Sequence, residues 1–151
     1  MVSFLLAQGA DPNINRGSSM HYVLDMAVSF SEIEVVDELI RHGAKLKNSN
    51  ALKSAAYVGR MEMIEHLLGK GIDVNEIPDY PDMLNQEREM GLGTALHEAA
   101  RNGQVEAVRL LLDRGANPQL KNSLGRTALD LAKEKDHMEV VGVLSKTEAI
   151  S

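Results

Sequence analysis

The sequence predicts an all-α solenoid, a stack of helix-turn-helix units, and three observations carry that expectation. Segments ending in glycine recur: LLAQGADPN, LIRHGAKLK, LLGKGIDVN and LLLDRGANPQ place Gly9, Gly43, Gly71 and Gly115 after an apolar pair or triplet and a short polar stretch. Between them lies a small-Leu-x-x-Ala element, whose leucines Leu24, Leu52, Leu96 and Leu129 fall 28, 44 and 33 residues apart. Neither helix of such a unit is long enough to be stable alone in water, so the apolar faces must be buried by stacking unit on unit.

Taken in chain order, residues 1–15 read as a partial unit. Counting back from Gly9, Met1 falls inside a second helix whose first helix is absent, so Phe4, Leu5 and Leu6 are expected to lack part of their cover. Either further chain precedes this point or that face docks on something. Complete units follow at about 16–47, 48–77, 89–121 and 122–151, with second helices near 32–41, 61–69, 105–114 and 137–145. In the third unit Ala95, Leu96, Ala99 and Ala100 share one helical face, and Gly103 supplies a residue that tolerates a left-handed cap. The partner helix carries Val105, Val108, Leu111 and Leu112 on its buried stripe and ends before Gly115. The spacing from Gly43 to Gly71 is five short of 33, which clips the loop between Gly43 and Asn50. The next spacing exceeds 33 by eleven, and the excess is assigned to an insertion at 78–88 bearing Pro78 and Pro81. Residues 76–90 hold Glu76, Asp79, Asp82, Glu87 and Glu89 against Arg88, a local net of −4.

Composition agrees with one globular domain and removes several functions. The chain has 151 residues, 44% hydrophobic and 25% charged, enough to bury a core without a disulfide or metal staple. With no cysteine there is no thiol nucleophile and no Cys-ligated zinc, and the chain suits a reducing compartment. A net charge of −6, no Trp, two Phe and three Tyr argue against nucleic acid, which calls for Lys and Arg on phosphates and aromatics on bases. No apolar run approaches the eighteen residues of a membrane span, and MVSFLLA lacks the basic n-region and the length of a signal peptide. The expected location is intracellular, in cytoplasm or nucleus.

The stretch GTALHEAARNGQVEAVRLLLDRGAN resembles the ankyrin repeat, a unit of about 33 residues with a T-P-L-H-x-A core. Thr94-Ala95-Leu96-His97-Glu98-Ala99 departs from that core only in Ala95 for Pro. The fourth unit, GRTALDLAKEKDHMEVVGVL, has Asp130 for the histidine and Asp136 for the glycine that ends the first helix. The first two match the box weakly, as YVLDMAV and NALKSAA. The resemblance implies that His97 hydrogen-bonds backbone near the hairpin. It also implies that partners bind a concave face made by hairpin tips and the exposed ends of the first helices. Carried over position by position, those ends are Ser29 and Phe30, Tyr57 and Val58, Arg101 and Asn102, Glu134 and Lys135. The expected partner site centres on Phe30, Tyr57, Val58 and Arg101 with Asn102, flanked by Lys70, Arg114 and a loop at Tyr80. A second reading has Phe30 and Tyr57 filling space left by the clipped loop. Leu67 with Asp73-Val74-Asn75 resembles an asparaginyl-hydroxylase target, with Asn75 as acceptor.

Catalytic and metal motifs are incomplete. His97-Glu98-Ala99-Ala100-Arg101 resembles H-E-x-x-H with arginine at the second ligand, and one imidazole does not hold zinc. His42, His66 and His137 have no neighbouring ligand set in sequence and read as surface or capping residues. Gly91-Leu92-Gly93 lacks the rest of a phosphate loop, and no G-x-S-x-G elbow occurs. The expectation is therefore a non-catalytic scaffold with no cofactor and no metal, binding a peptide or protein. The alternative is a regulatory or targeting segment of a longer protein, one with an enzymatic domain elsewhere. The sequence leaves the oligomeric state and the partner's identity open.

Overall fold

The computed structural model describes residues 2–13, 23–47, 49–78 and 91–150, and all regular structure among them is helical. The helices are α1 (Val2–Ala7), α2 (Val23–Phe30), α3 (Ile33–Arg41), α4 (Ala51–Val58), α5 (Met61–Gly69), α6 (Ala95–Arg101), α7 (Val105–Asp113), α8 (Ala128–Glu134) and α9 (Met138–Ile150). The second helices fall where the glycine frame puts them, except that α9 runs on to Ile150. Within each of the four pairs the connection is too short for anything but an antiparallel neighbour. The first helices α2, α4, α6 and α8 stack on one another as an inner layer, and α1, α3, α5, α7 and α9 form an outer one. The hairpin loops expected between units carry no strand among the described residues.

The inner layer is close-packed because its facing residues are small. Ala27, Ala55, Ala99 and Ala132 are buried, as are Leu24, Leu52, Leu96 and Leu129 beside them. From the outer layer Leu39, Leu67, Leu111 and Leu144 occupy one register position and close the same continuous core. Leu6, expected to lack cover, is buried, whereas Phe4 and Leu5 are exposed.

The later inner helices are bounded by chemistry that the sequence carries. Thr94 and Thr127 open α6 and α8 with capping boxes closed by His97 and Asp130. The Thr127 backbone N–H donates to Asp130 at 2.9 Å and holds that carboxyl below the usual carboxylate range. At the other end of α4, α6 and α8 the chain turns left-handed to enter the second helix, whereas α2 passes to α3 without a positive φ. Gly59 and Gly103 do so at φ 73° and 68°, and Asp136 occupies the same register position at φ 57°. The following N–H of Arg60, Gln104 or His137 then returns to the carbonyl of Ala55, Ala99 or Ala132, each at 2.9 Å.

Two stability measurements check this account. Leu111→Ala removes a fully buried side chain and should cost about 2–5 kcal/mol in denaturant unfolding. Asp136→Gly relieves a left-handed β-carbon while adding unfolded-state entropy. It should therefore raise stability by about 0.5–1 kcal/mol, with an unchanged denaturant slope.

Candidate functional site

The end of the inner layer where α2, α4, α6 and α8 finish is held in register by a ladder of side chains reaching back one unit. The Arg60 guanidinium donates to the carbonyls of Val28 and Ser31, both at 2.7 Å. Gln104 Nε2 donates to the Tyr57 carbonyl at 3.0 Å, and His137 Nε2 to the Arg101 carbonyl at 2.9 Å. Residues one turn position beyond the left-handed cap thus satisfy carbonyls that a helix end leaves without partners. His137 is a capping residue.

On this scaffold the expected site residues separate. Phe30 is 76% exposed and Tyr57 54% exposed, on adjacent inner helices, with Val58 half-buried beside them. Arg101 is a correction: expected as an exposed cation, its side chain is only 10% exposed and pairs with Glu98 one turn earlier at 3.2 Å. Asn102 is also half-buried, its amide donating to the Glu98 carbonyl at 2.8 Å and capping α6.

Lys70 and Arg114 do not flank Phe30 and Tyr57, which is a second correction. They stand at the far ends of α5 and α7, separated from the inner-helix ends by the length of a nine-residue helix, about 13 Å. There they tie outer helices together. Lys70 reaches Asp37 of α3 at 2.9 Å, and Arg114 reaches Glu65 of α5 at 2.6 Å. Asp37 also accepts from His66 at 2.7 Å, and the bonds from Lys70 and then His66 hold its carboxyl below the ordinary range. Tyr80 and residues 79–88 of the expected insertion lie outside the described residues, while Pro78 is buried.

Asn75 spans two loops. Its Oδ1 accepts from the Asn117 N–H at 2.8 Å and its Nδ2 donates to the Gly115 carbonyl at 3.3 Å. Asn13, which sequence reasoning passed over, makes the same bridge to the Lys45 N–H and the Gly43 carbonyl, at 3.0 and 2.8 Å. The shared signal is an asparagine four residues after the loop glycine, at Gly9 and at Gly71. In the intervening loop that position is Lys47, which has no amide to offer.

The His97 ring is buried and fully engaged. Nδ1 accepts from the Thr94 N–H at 3.1 Å, which puts the proton on Nε2, 3.2 Å from the Arg126 carbonyl. The ring also explains Gly93, where an added β-carbon would stand 2.7 Å from the imidazole. Burial pushes the His97 pKa below its ordinary 6.5, outweighing the carbonyl bond that favours the charged form. Among the described residues no cluster of three His, Asp or Glu is placed to hold a metal ion.

The sign of the His97 shift fixes a pH effect. The folded state prefers the neutral ring, so its stabilisation is complete above pH 6.5 and is lost as pH falls from there towards the lower folded-state value. The stability gap between the wild type and His97→Asn should therefore shrink between pH 7.5 and pH 5, as read from paired urea titrations.

No helix among the described residues is long and apolar enough to cross a membrane. A search of curated proteins returns no match. The family described as ankyrin repeats (three copies) matches residues 1–77 and 80–150. Ankyrin repeats are generally protein–protein interaction modules, and the family is typically non-catalytic. With its left-handed helix caps, its T-x-L-H box closed by His97 and this match over nearly the whole length, the chain belongs to the ankyrin-repeat family.

Proposed function

We propose that the chain is a non-catalytic interaction scaffold that grips a peptide or protein partner at the inner-helix ends, with Tyr57 as the anchor. The observation that carries this is the exposure of Tyr57, 54% in a unit that has a neighbour stacked on either side. Stacking makes no demand for an aromatic there, and its register equivalents are Ser29, Arg101 and Glu134. Aromatic side chains at the middle of a surface carry much of the energy of protein interfaces. Phe30 and Val58 extend the apolar area on either side of the α2–α4 junction. Arg101 is left to its pair with Glu98, and Lys70 and Arg114 to the outer layer. Asn75 remains proposed as a hydroxylation acceptor. Peptides from the native source carrying the mass of one added oxygen on Asn75 support it, and unmodified peptides throughout refute it.

Tyr57→Ala should leave the melting temperature within the small range of surface substitutions, since the side chain is largely in solvent. In affinity capture with the intact array, a partner retained by the wild type should be lost by Tyr57→Ala and weakened by Phe30→Ala, by about tenfold or more for an aromatic anchor. Retention of the same partner by both variants overturns the reading.

A further inference from the structure

The joints between successive units are not fastened alike. In the outer layer α1 approaches α3, α5 approaches α7 and α7 approaches α9 closely, whereas α3 and α5 approach each other least of these adjacent pairs. The loop after α3 is also the one whose glycine spacing, Gly43 to Gly71, falls five short of 33, and it carries Lys47 where Asn13 and Asn75 bridge to the next loop. A single carboxylate oxygen spans the wider gap. Asp37 Oδ1 on α3 accepts from His66 Nε2 at 2.7 Å and from Lys70 Nζ at 2.9 Å, the one on α5 and the other at its C-terminal cap. Neighbouring charges are committed elsewhere, Glu38 to Arg41 and His42 in its own unit and Glu65 to Arg114 at the end of α7.

On the inner side the same two units are packed. There α2 lies on α4 with Ala27, Val28, Ala55 and Ala56 buried, and the Arg60 guanidinium ties the turn before α5 to the carbonyls of Val28 and Ser31. Tyr57 has α5 behind it and α2 and α6 on either side, so its exposed ring stands on the free side of the inner layer. The packed α2–α4 contact therefore lies between the outer bond and the exposed face, where it acts as a fulcrum. Parting α3 from α5 tilts α2 about that contact and brings the end of α2 towards Tyr57. We infer that the bond from Asp37 to His66 and Lys70 is a brace that sets the spacing between the end of α2 and Tyr57, and so regulates what that position receives. The regulatory consequence rests on the reading of Tyr57 as an anchor, whereas the motion itself does not. All three side chains are partly exposed, and an ion pair so placed is held weakly enough to open while the core stays packed. The next joint lacks this freedom, because Asn75 fastens its loops and α5 lies closer to α7.

The chain has no cysteine, so introduced pairs of thiols carry spin labels at chosen points only. Glu34, Glu62 and Glu106 are exposed at one register position of α3, α5 and α7, and Ser29 and Tyr57 share another on α2 and α4. Asp37→Lys sets like charges against each other across the joint, and Asp37→Ala removes the bond without adding charge. In both, electron–electron distance measurements should show the Glu34→Cys/Glu62→Cys separation lengthen and the Ser29→Cys/Tyr57→Cys separation shorten, with Glu62→Cys/Glu106→Cys unchanged. Adding Lys70→Asp to Asp37→Lys restores opposite charges and should return both distances. Unmoved separations overturn the inference, as does an equal change at the α5–α7 pair or a double variant that stays open. In unlabelled chains that keep Tyr57, affinity for the partner isolated by wild-type capture should change by about fivefold or more in Asp37→Lys and recover in the double variant. Shifted distances with unchanged affinity overturn the regulatory role and leave the anchor standing. A partner indifferent to Tyr57→Ala overturns the anchor instead, and the distances then decide the brace by themselves.

Discussion

Everything in this molecule depends on the approach of one inner helix to the next. Alanines at 27, 55, 99 and 132 let helices of seven or eight residues lie close enough for the neighbouring leucines to be shared between units. Each such helix is too short to persist in isolation, so its stability is borrowed from its neighbours. The left-handed caps, the capping boxes and the backward-reaching side chains at Arg60, Gln104 and His137 are ways of ending a short helix without leaving its polar backbone unsatisfied beside that core.

Conserving this approach leaves two kinds of surface. Positions between stacked helices are constrained to small or apolar residues, and positions at the helix ends are not. An aromatic at an unconstrained position therefore carries information about partners, which is why Tyr57 weighs more than Phe30. Tyr57 belongs to an internal unit. Phe30 shares a stripe of α2 with the exposed Val23 and Met26.

Much of the fold was legible because its determinants are local. The loop glycines, the leucine frame and the Thr–His box each specify backbone within a few residues, so helix positions followed directly. The site was legible only in part. Glu98 and Arg101 stand three apart on one helix, a spacing that signals an ion pair, whereas the family position of Arg101 points to a surface role. The partners of Lys70 and Arg114 lie 33 and 49 residues away in sequence, at Asp37 and Glu65, and no local pattern announces them. The role of Asn13 could have been found, since it repeats the spacing of Asn75 from its glycine.

The replacement of the loop asparagine by Lys47 changes how one joint of the stack responds to its surroundings. The joint spanned by Asn13 is fastened by neutral amides to backbone, a linkage that ionic strength leaves largely alone, and the one spanned by Asn75 has the same bridge beside the Arg114–Glu65 pair. Between α3 and α5 the fastening is instead a carboxylate shared by an ammonium and an imidazole, partly open to water. Dissolved salt screens such a bond and acid removes its charge. The array is therefore not a uniform rod but a chain of unequal couplings, in which the joint below Lys47 has charged bonds without the amide bridge that backs them at the Asn75 joint.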